Sequence, residues 1–260
     1  MGNILDKYGI KEVADVMFYE IDPTSGKPST PVLYLDTLKV STIEQTAEEA
    51  IAKGGKGNAP LITWDYGKDI NVTLEDALFS AKSMAIMFGN SQVSTNETEL
   101  KKTIAWRAAA DSAAAPTKFE GPQGKIYSVP TDGSVVTYDA TGATVSAGTT
   151  AIVEGQTYYT TFNMPLKTSY TIDISANSFP GTYYVTGDTY ARSEISGKDE
   201  FFQFIIPKAK VKSENTITLE AEGDPSVFNL NLHVLRPAGG GAMMKLVKYD
   251  MQEDVANAEG

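Results

Sequence analysis

The 260-residue sequence contains no cysteine, one histidine and two tryptophans. Without thiols, disulfides and thiolate metal sites are excluded, which fits a reducing compartment. The lone histidine, His233, has no cysteine to join it in metal binding or catalysis. Nothing in the sequence sets a serine such as Ser226, or a threonine, beside it as a base–nucleophile pair. Basic residues are also scarce: 22 against 33 acids gives a formal charge of −11. A surface that negative repels phosphate backbones, and there is no basic run beyond Lys101-Lys102 and the alternating Lys208, Lys210 and Lys212. Those three read as one solvated strand face. No apolar run is long enough to cross a bilayer as a helix, so no membrane partner is expected. The opening MGNILDKYGIKE has no apolar core of a signal peptide, and Asp6 stands where a myristoylation signal wants Ser or Thr. The expectation is synthesis in the cytoplasm without export.

What the sequence does hold is glycine, tyrosine and threonine. Twenty-two glycines, thirteen tyrosines and many threonines favour sheets and turns over helix bundles. Residues 13–21 and 31–40 read as a hairpin around PTSGKPST. For STIEQTAEEAIAK, two readings stand. Ile43, Ala47, Ala50 and Ile51 fall at helical spacing, with Ser41 and Glu44 resembling a capping box, while the Thr and Ile content also suits a strand. LITWDY and the alternation Ile70, Val72, Leu74 predict strands around a turn at Gly67-Lys68. LEDALFSAKSMAIMF predicts the one clear helix, about 75–88, capped by Thr73 and stopped at Gly89-Asn90.

Past residue 108 the composition loosens into Ala, Pro, Gly and Ser. From about 135 to 175, short Thr/Tyr/Val segments alternate with Asp132-Gly133, Thr141-Gly142 and Glu154-Gly155, as in a small β module. The last third returns to strands: TYYVTGDTYAR, FFQFIIPKAKV, NTITLEAEG, VFNLNLHVL and AMMKLVKYD. In VFNLNLHVL, Phe228, Leu230, Leu232 and Val234 alternate with Asn229, Asn231 and His233, marking a strand with one buried face. The predicted organisation is a core segment 1–118, a β-rich insertion 119–175, core strands 176–250 and a flexible acidic tail 251–260. The fold class is mainly β.

Candidate chemistry fails on inspection. Gly54-Gly55-Lys56-Gly57-Asn58 looks like a phosphate loop, but Lys56 is followed by glycine rather than Ser or Thr, and a strand rather than a helix follows. The dinucleotide pattern lacks its spacing and its βαβ frame. The adjacent acids Glu48-Glu49 and Asp199-Glu200 diverge in either regular conformation, and Asp224 belongs to a turn, so no glycosidase pair stands out. There is no calcium-loop spacing. The glycosylation patterns at Asn71 and Asn96 count for nothing without export. No enzyme, cofactor or metal is expected. The glycines are expected to let another backbone approach, that of a neighbouring subunit.

A chain with about ten strands must deal with its sheet edges, and FFQFIIP and NTITLEA carry little Pro or Lys to blunt them. Use of the edges in self-assembly is one solution. FPGTYYVTGDTYARSEISGKDEFFQFIIPKAKV (179–211), LEAEGDPSVFNLNLHVL (219–235) and MMKLVKYD (243–250) resemble the C-terminal part of major tail or tail tube proteins of tailed bacteriophages. LDKYGIKEVADVMFYEI and YLDTLKVSTIEQTAEEAIAKGGKGNAPLITWDYGKDINVTLEDALFS resemble their opening half.

The resemblance implies a tail-tube-like β-barrel or sandwich with one flanking helix and an inserted segment on the tube exterior. It implies subunits that form hexameric rings stacked into a hollow tube of the virion tail, alongside tape measure, terminator and sheath proteins. DNA would pass through without specific binding, repelled by Asp and Glu lining the bore, whose lumen-facing members the sequence does not name. Residues 41–58 become candidates for intersubunit pairing, with Gly54, Gly55, Gly57 and Asn58 at the contact, as an extended arm. Two other readings use the same residues. One is a capsid-decorating or head–tail joining protein. The other is a carbohydrate-binding β module stacking sugars on Tyr158, Tyr159, Tyr183, Tyr184 and Tyr190.

Overall fold

A computed structural model describes residues 7–90, 93–95, 97–109, 114–145, 152–217 and 227–250. The expected acidic tail, most of NTITLEAEG, Ser226, Asp224 and Asn96 lie outside the described residues. The described chain is mainly β, as expected, with one α-helix. It divides into two compact units: residues 1–93 with 172–260, and Ser94–Thr171 inserted between them in sequence.

The first unit is built on a nine-stranded antiparallel sheet. Its path runs β3 (Pro28–Leu35), β2 (Asp15–Ile21), β12 (Thr182–Ser193), β13 (Asp199–Val211), β14 (Phe228–Val234), β5 (Ala59–Asp76) and β4 (Leu38–Gly54). β1 (Tyr8–Ile10) joins the end of β12, and β15 (Lys245–Tyr249) joins the first half of β13. One edge of β13 therefore serves two partners, β15 at Phe201–Ile205 and β14 at Ala209–Val211. Pro207, which has no N–H to donate, stands in the gap between them. It also lies where the β12 register shifts between Tyr183 and Val185.

The core lies on one face of this sheet, and strand alternation puts it there. Val16, Phe18, Leu33, Leu35, Val72, Leu74, Val185, Ile206, Leu230 and Leu232 are all buried. In β14 the expected inward set Phe228, Leu230, Leu232 and Val234 is at most 7% exposed. Its outward set pairs laterally: Thr73 donates to Asn231 (3.2 Å), and His233 Nδ1 stands 3.2 Å from Asp69.

Two local expectations need correction. The helix α1 spans only Ala81–Met87. Thr73 lies within β5, opposite Asn231 and Thr42, because Ile70, Val72 and Leu74 are held in strand alternation by β14 on one side and β4 on the other. Ser80 caps the helix instead, in a reciprocal box with Ser83. The stop is where it was expected. Gly89 adopts φ +79°, its N–H reaches Ile86 and that of Asn90 reaches Ala85, a Schellman end. Second, LITWDY and INVTL are not two strands around a turn. They are one continuous strand, with Gly67 (φ +63°) as the extra residue of a bulge between the Thr46–Asp69 and Glu48–Tyr66 pairs.

The second unit holds a sheet in the order β10 (Thr144–Val145), β9 (Val136–Tyr138), β11 (Thr157–Pro165), β6 (Glu99–Arg107), and a separate hairpin of β7 (Lys118–Glu120) and β8 (Ile126–Ser128). Phe162 and Tyr158 are buried in it. Trp106 stacks on Tyr158 at 5.2 Å and donates to Thr160.

Gly187, buried in β12, tests this packing. A Cβ there would come within 2.1 Å of the Phe204 ring, whereas one at Gly9 would meet nothing within 4 Å. Gly187→Ala is expected to destabilise the fold by about 1–3 kcal/mol, with Gly9→Ala near neutral, read by chemical denaturation.

Candidate assembly surface

β4 and β5 continue well past the core as a two-stranded arm. The last buried residue on β5 is Ile70, and β14 covers β5 only from Asn71 onward. From Asp69 to Ala59 the strands pair only with each other among the described residues, a reach of roughly 33 Å at strand rise. Residues 41–54 are extended throughout, so of the two readings of STIEQTAEEAIAK the strand is correct. The helical spacing of Ile43, Ala47, Ala50 and Ile51 is overridden by cross-strand pairing with Val72, Trp64 and Thr63.

The register sorts the arm's side chains onto two faces. One carries Tyr66, Trp64 and Ile62 opposite Glu48, Ala50 and Ala52. Trp64, Ile62 and Tyr66 are each more than half exposed, with the small alanines leaving the large rings and Ile62 uncovered. The other face sets Glu49 directly opposite Asp65 and Ile51 opposite Thr63. Opposed carboxylates weaken a strand pair.

Gly54, Gly55, Gly57 and Asn58 form the tip of this arm. Gly55, Gly57 and Asn58 have φ of +77°, +90° and +51°, and the Asn58 N–H donates to the Gly55 carbonyl. A Cβ on Gly55 or Gly57 would meet nothing within 4 Å. The glycines are thus required by backbone conformation rather than by crowding. No helix begins here, so no helix N-terminus is aimed at an anion.

The remaining candidates are dispersed. Glu48 and Glu49 point to opposite faces of the arm. Asp199 is held bidentate by Arg192 (2.6 and 2.7 Å), which lowers its pKa below the usual carboxylate range. Glu200 is paired with Lys248, which also donates to Tyr8. Both partners push the Lys248 ammonium upward in pKa, Glu200 most. The five tyrosines are divided between the two units. Tyr158 is buried in the second unit and Tyr159 is exposed there, while Tyr183 packs on Phe18 and Tyr184 on Tyr19 in the first unit. Among the described residues no cluster of three or more His, Asp or Glu is arranged to hold a metal. In the sequence Leu61, Ile62, Trp64 and Tyr66 read only as part of a strand, not as a surface. The available signal was an apolar run placed between a glycine tip and a glycine bulge.

An extended antiparallel sheet and a projecting arm with an uncovered apolar face together define a mainly β subunit with surface open to contact. A family model described as the YomU/Tube protein family matches residues 8–246, and the chain belongs to that family. The match agrees with the resemblance to tail tube proteins and indicates a structural component of the phage tail. A comparison with curated proteins finds no relative.

Glu49→Lys replaces the opposed carboxylates by an ion pair. It is expected to raise amide-exchange protection in the arm about two- to five-fold while leaving core amides unchanged, measured by hydrogen exchange on unassembled protein.

Proposed function

We propose that this protein self-assembles into stacked, hexameric rings that form the wall of a phage tail tube, through which DNA passes on ejection. The observation that carries the reading is the arm. A two-stranded ribbon is marginal in water without a further strand or packing partner, and this one exposes Trp64, Ile62, Tyr66 and Leu61 at its end. Both of its edges are open among the described residues. A neighbouring subunit supplies what is missing, and the Gly54, Gly55, Gly57 and Asn58 turn brings the backbone close to it. The charge of −11 suits a conduit, since carboxylates facing a bore keep the DNA backbone from adhering. Length-setting and terminating tail proteins complete the assembly. The protein acts as architecture, without catalysis.

Negative-stain electron microscopy of the purified protein is expected to show hollow tubes or stacked sixfold rings. Replacing Glu48–Tyr66 by Asn-Gly should abolish them while leaving the cooperative denaturation of the core intact. Gly55→Val with Gly57→Val should reduce tube yield sharply, because the tip must leave its left-handed conformation. Tubes that form as readily without the arm would overturn its role. Closed oligomers that never stack would favour a head or joining protein instead.

A further inference from the structure

The outward face of the nine-stranded sheet carries a second unusual surface. Asp15 on β2 and Asp188 on β12 are directly paired neighbours, so two carboxylates stand side by side. Asp36 follows β3 close by. All three are exposed, and none is ion-paired among the described residues. Their protein contacts are neutral donors: Tyr34 to Asp15 (3.3 Å), and Gln203 (2.8 Å) and Tyr249 (3.3 Å) to Asp188. The cations on this face are elsewhere. Arg192 is held by Asp199, and Lys245 pairs with Ile205, a row away from Gln203 and Val247. The Tyr34 hydroxyl registers the uncompensated field. Its pKa is raised, first by Asp15, with Asp36 and Asp188 adding to the effect.

Aromatic rings flank these carboxylates. Phe201 stacks on Tyr249 at 5.4 Å and touches Tyr190 at the same distance. Tyr190 and Tyr34 remain half exposed. The patch reaches β3, the open end of the sheet.

The arm tip has the complementary character. Between Ala50 and Trp64 there is no acidic residue, but there are two lysines, Lys53 and Lys56, on a chain of net charge −11. Lys53 lies at the end of β4, on the face opposite Ile62 and Trp64, and Lys56 lies within the turn; both are exposed. The tip is thus apolar and cationic, and the face is aromatic and anionic. Copies of so acidic a chain repel one another, and this pairing offsets the repulsion at the contact.

We propose that the arm tip of one copy docks on the Asp15–Asp36–Asp188 face of a second copy, with Lys56 in the turn meeting the carboxylates, Ile62 and Trp64 lying on the Tyr190–Phe201–Tyr249 rings, and Lys53 on the arm's other face adding positive charge to the tip. This rests on the self-assembly reading and names the acceptor surface for the arm. Free carboxylates on the acceptor and free lysines on the tip make the contact salt-sensitive.

The absence of cysteine allows a direct test. Single variants Lys56→Cys and Asp36→Cys are mixed under assembling conditions and oxidised. Each carries one thiol, so a disulfide between the two variants reports only a contact between copies. The expected result is a cross-linked heterodimer in clear excess over that formed when Lys56→Cys is mixed with Ser25→Cys, and its absence overturns the proposal. In parallel, Lys53→Glu with Lys56→Glu is expected to lose tubes, as is Asp15→Lys with Asp188→Lys. The chain carrying all four changes is expected to recover them, each fold being checked by near-ultraviolet circular dichroism. Tubes unaffected by either reversal, or no recovery in the combined chain, overturn the acceptor while leaving self-assembly standing. Wild-type protein that never forms rings or tubes would instead overturn the assembly reading itself. A tip reversal that assembles normally but no longer retains double-stranded DNA would assign the lysines to nucleic acid, also against the proposal.

Discussion

The pairing of β4 with β5 beyond the edge of the core is the interaction on which the rest depends. Inside the core, β5 is held between β14 and β4, and its inward residues Ile70, Val72 and Leu74 are buried. Past Ile70 the backbone ladder continues but the hydrophobic support stops. Backbone hydrogen bonds then hold a ribbon whose apolar side chains stay exposed among the described residues. Such a ribbon is left with open edges and an uncovered apolar face among the described residues, which is why the proposed assembly is built on it.

Charge and shape act together in this arrangement. The chain carries a net charge of −11, yet its arm ends in two lysines and a cluster of apolar side chains, while the outward sheet face gathers carboxylates that are not ion-paired among the described residues, beside aromatic rings. Elsewhere the carboxylates Asp199 and Glu200 are neutralised locally by Arg192 and Lys248. The contrast separates acids paired within the subunit from acids that the proposed contact would use.

Several elements were legible in the residues, and the reason is local. β14 alternates strictly, so its buried and exposed sets could be read directly. Gly89 ends a helix because its conformation at that position is left-handed. Gly54-Gly55-Lys56-Gly57-Asn58 departs from a phosphate loop in its own spacing, and a strand follows it, as expected. Where two periodicities overlap, local reading failed. Thr73-Leu74-Glu75-Asp76 suits a helix start by composition, but two flanking strands hold it in β5. STIEQTAEEAIAK carries helical spacing and strand chemistry together, and only its partner strand resolves the ambiguity.

By itself the sequence determined the fold class, the absence of thiol chemistry, the net charge and the strand identity of β12, β13, β14 and β15. Each of these follows from composition or from a period of two along the chain. Tertiary structure decided the rest: the single bulged strand through Gly67, the arm projecting beyond the core, and the meeting of Asp15 with Asp188 across residues far apart in sequence. These depend on register between distant strands. Register is set by which faces can be buried against each other, and no local pattern encodes that.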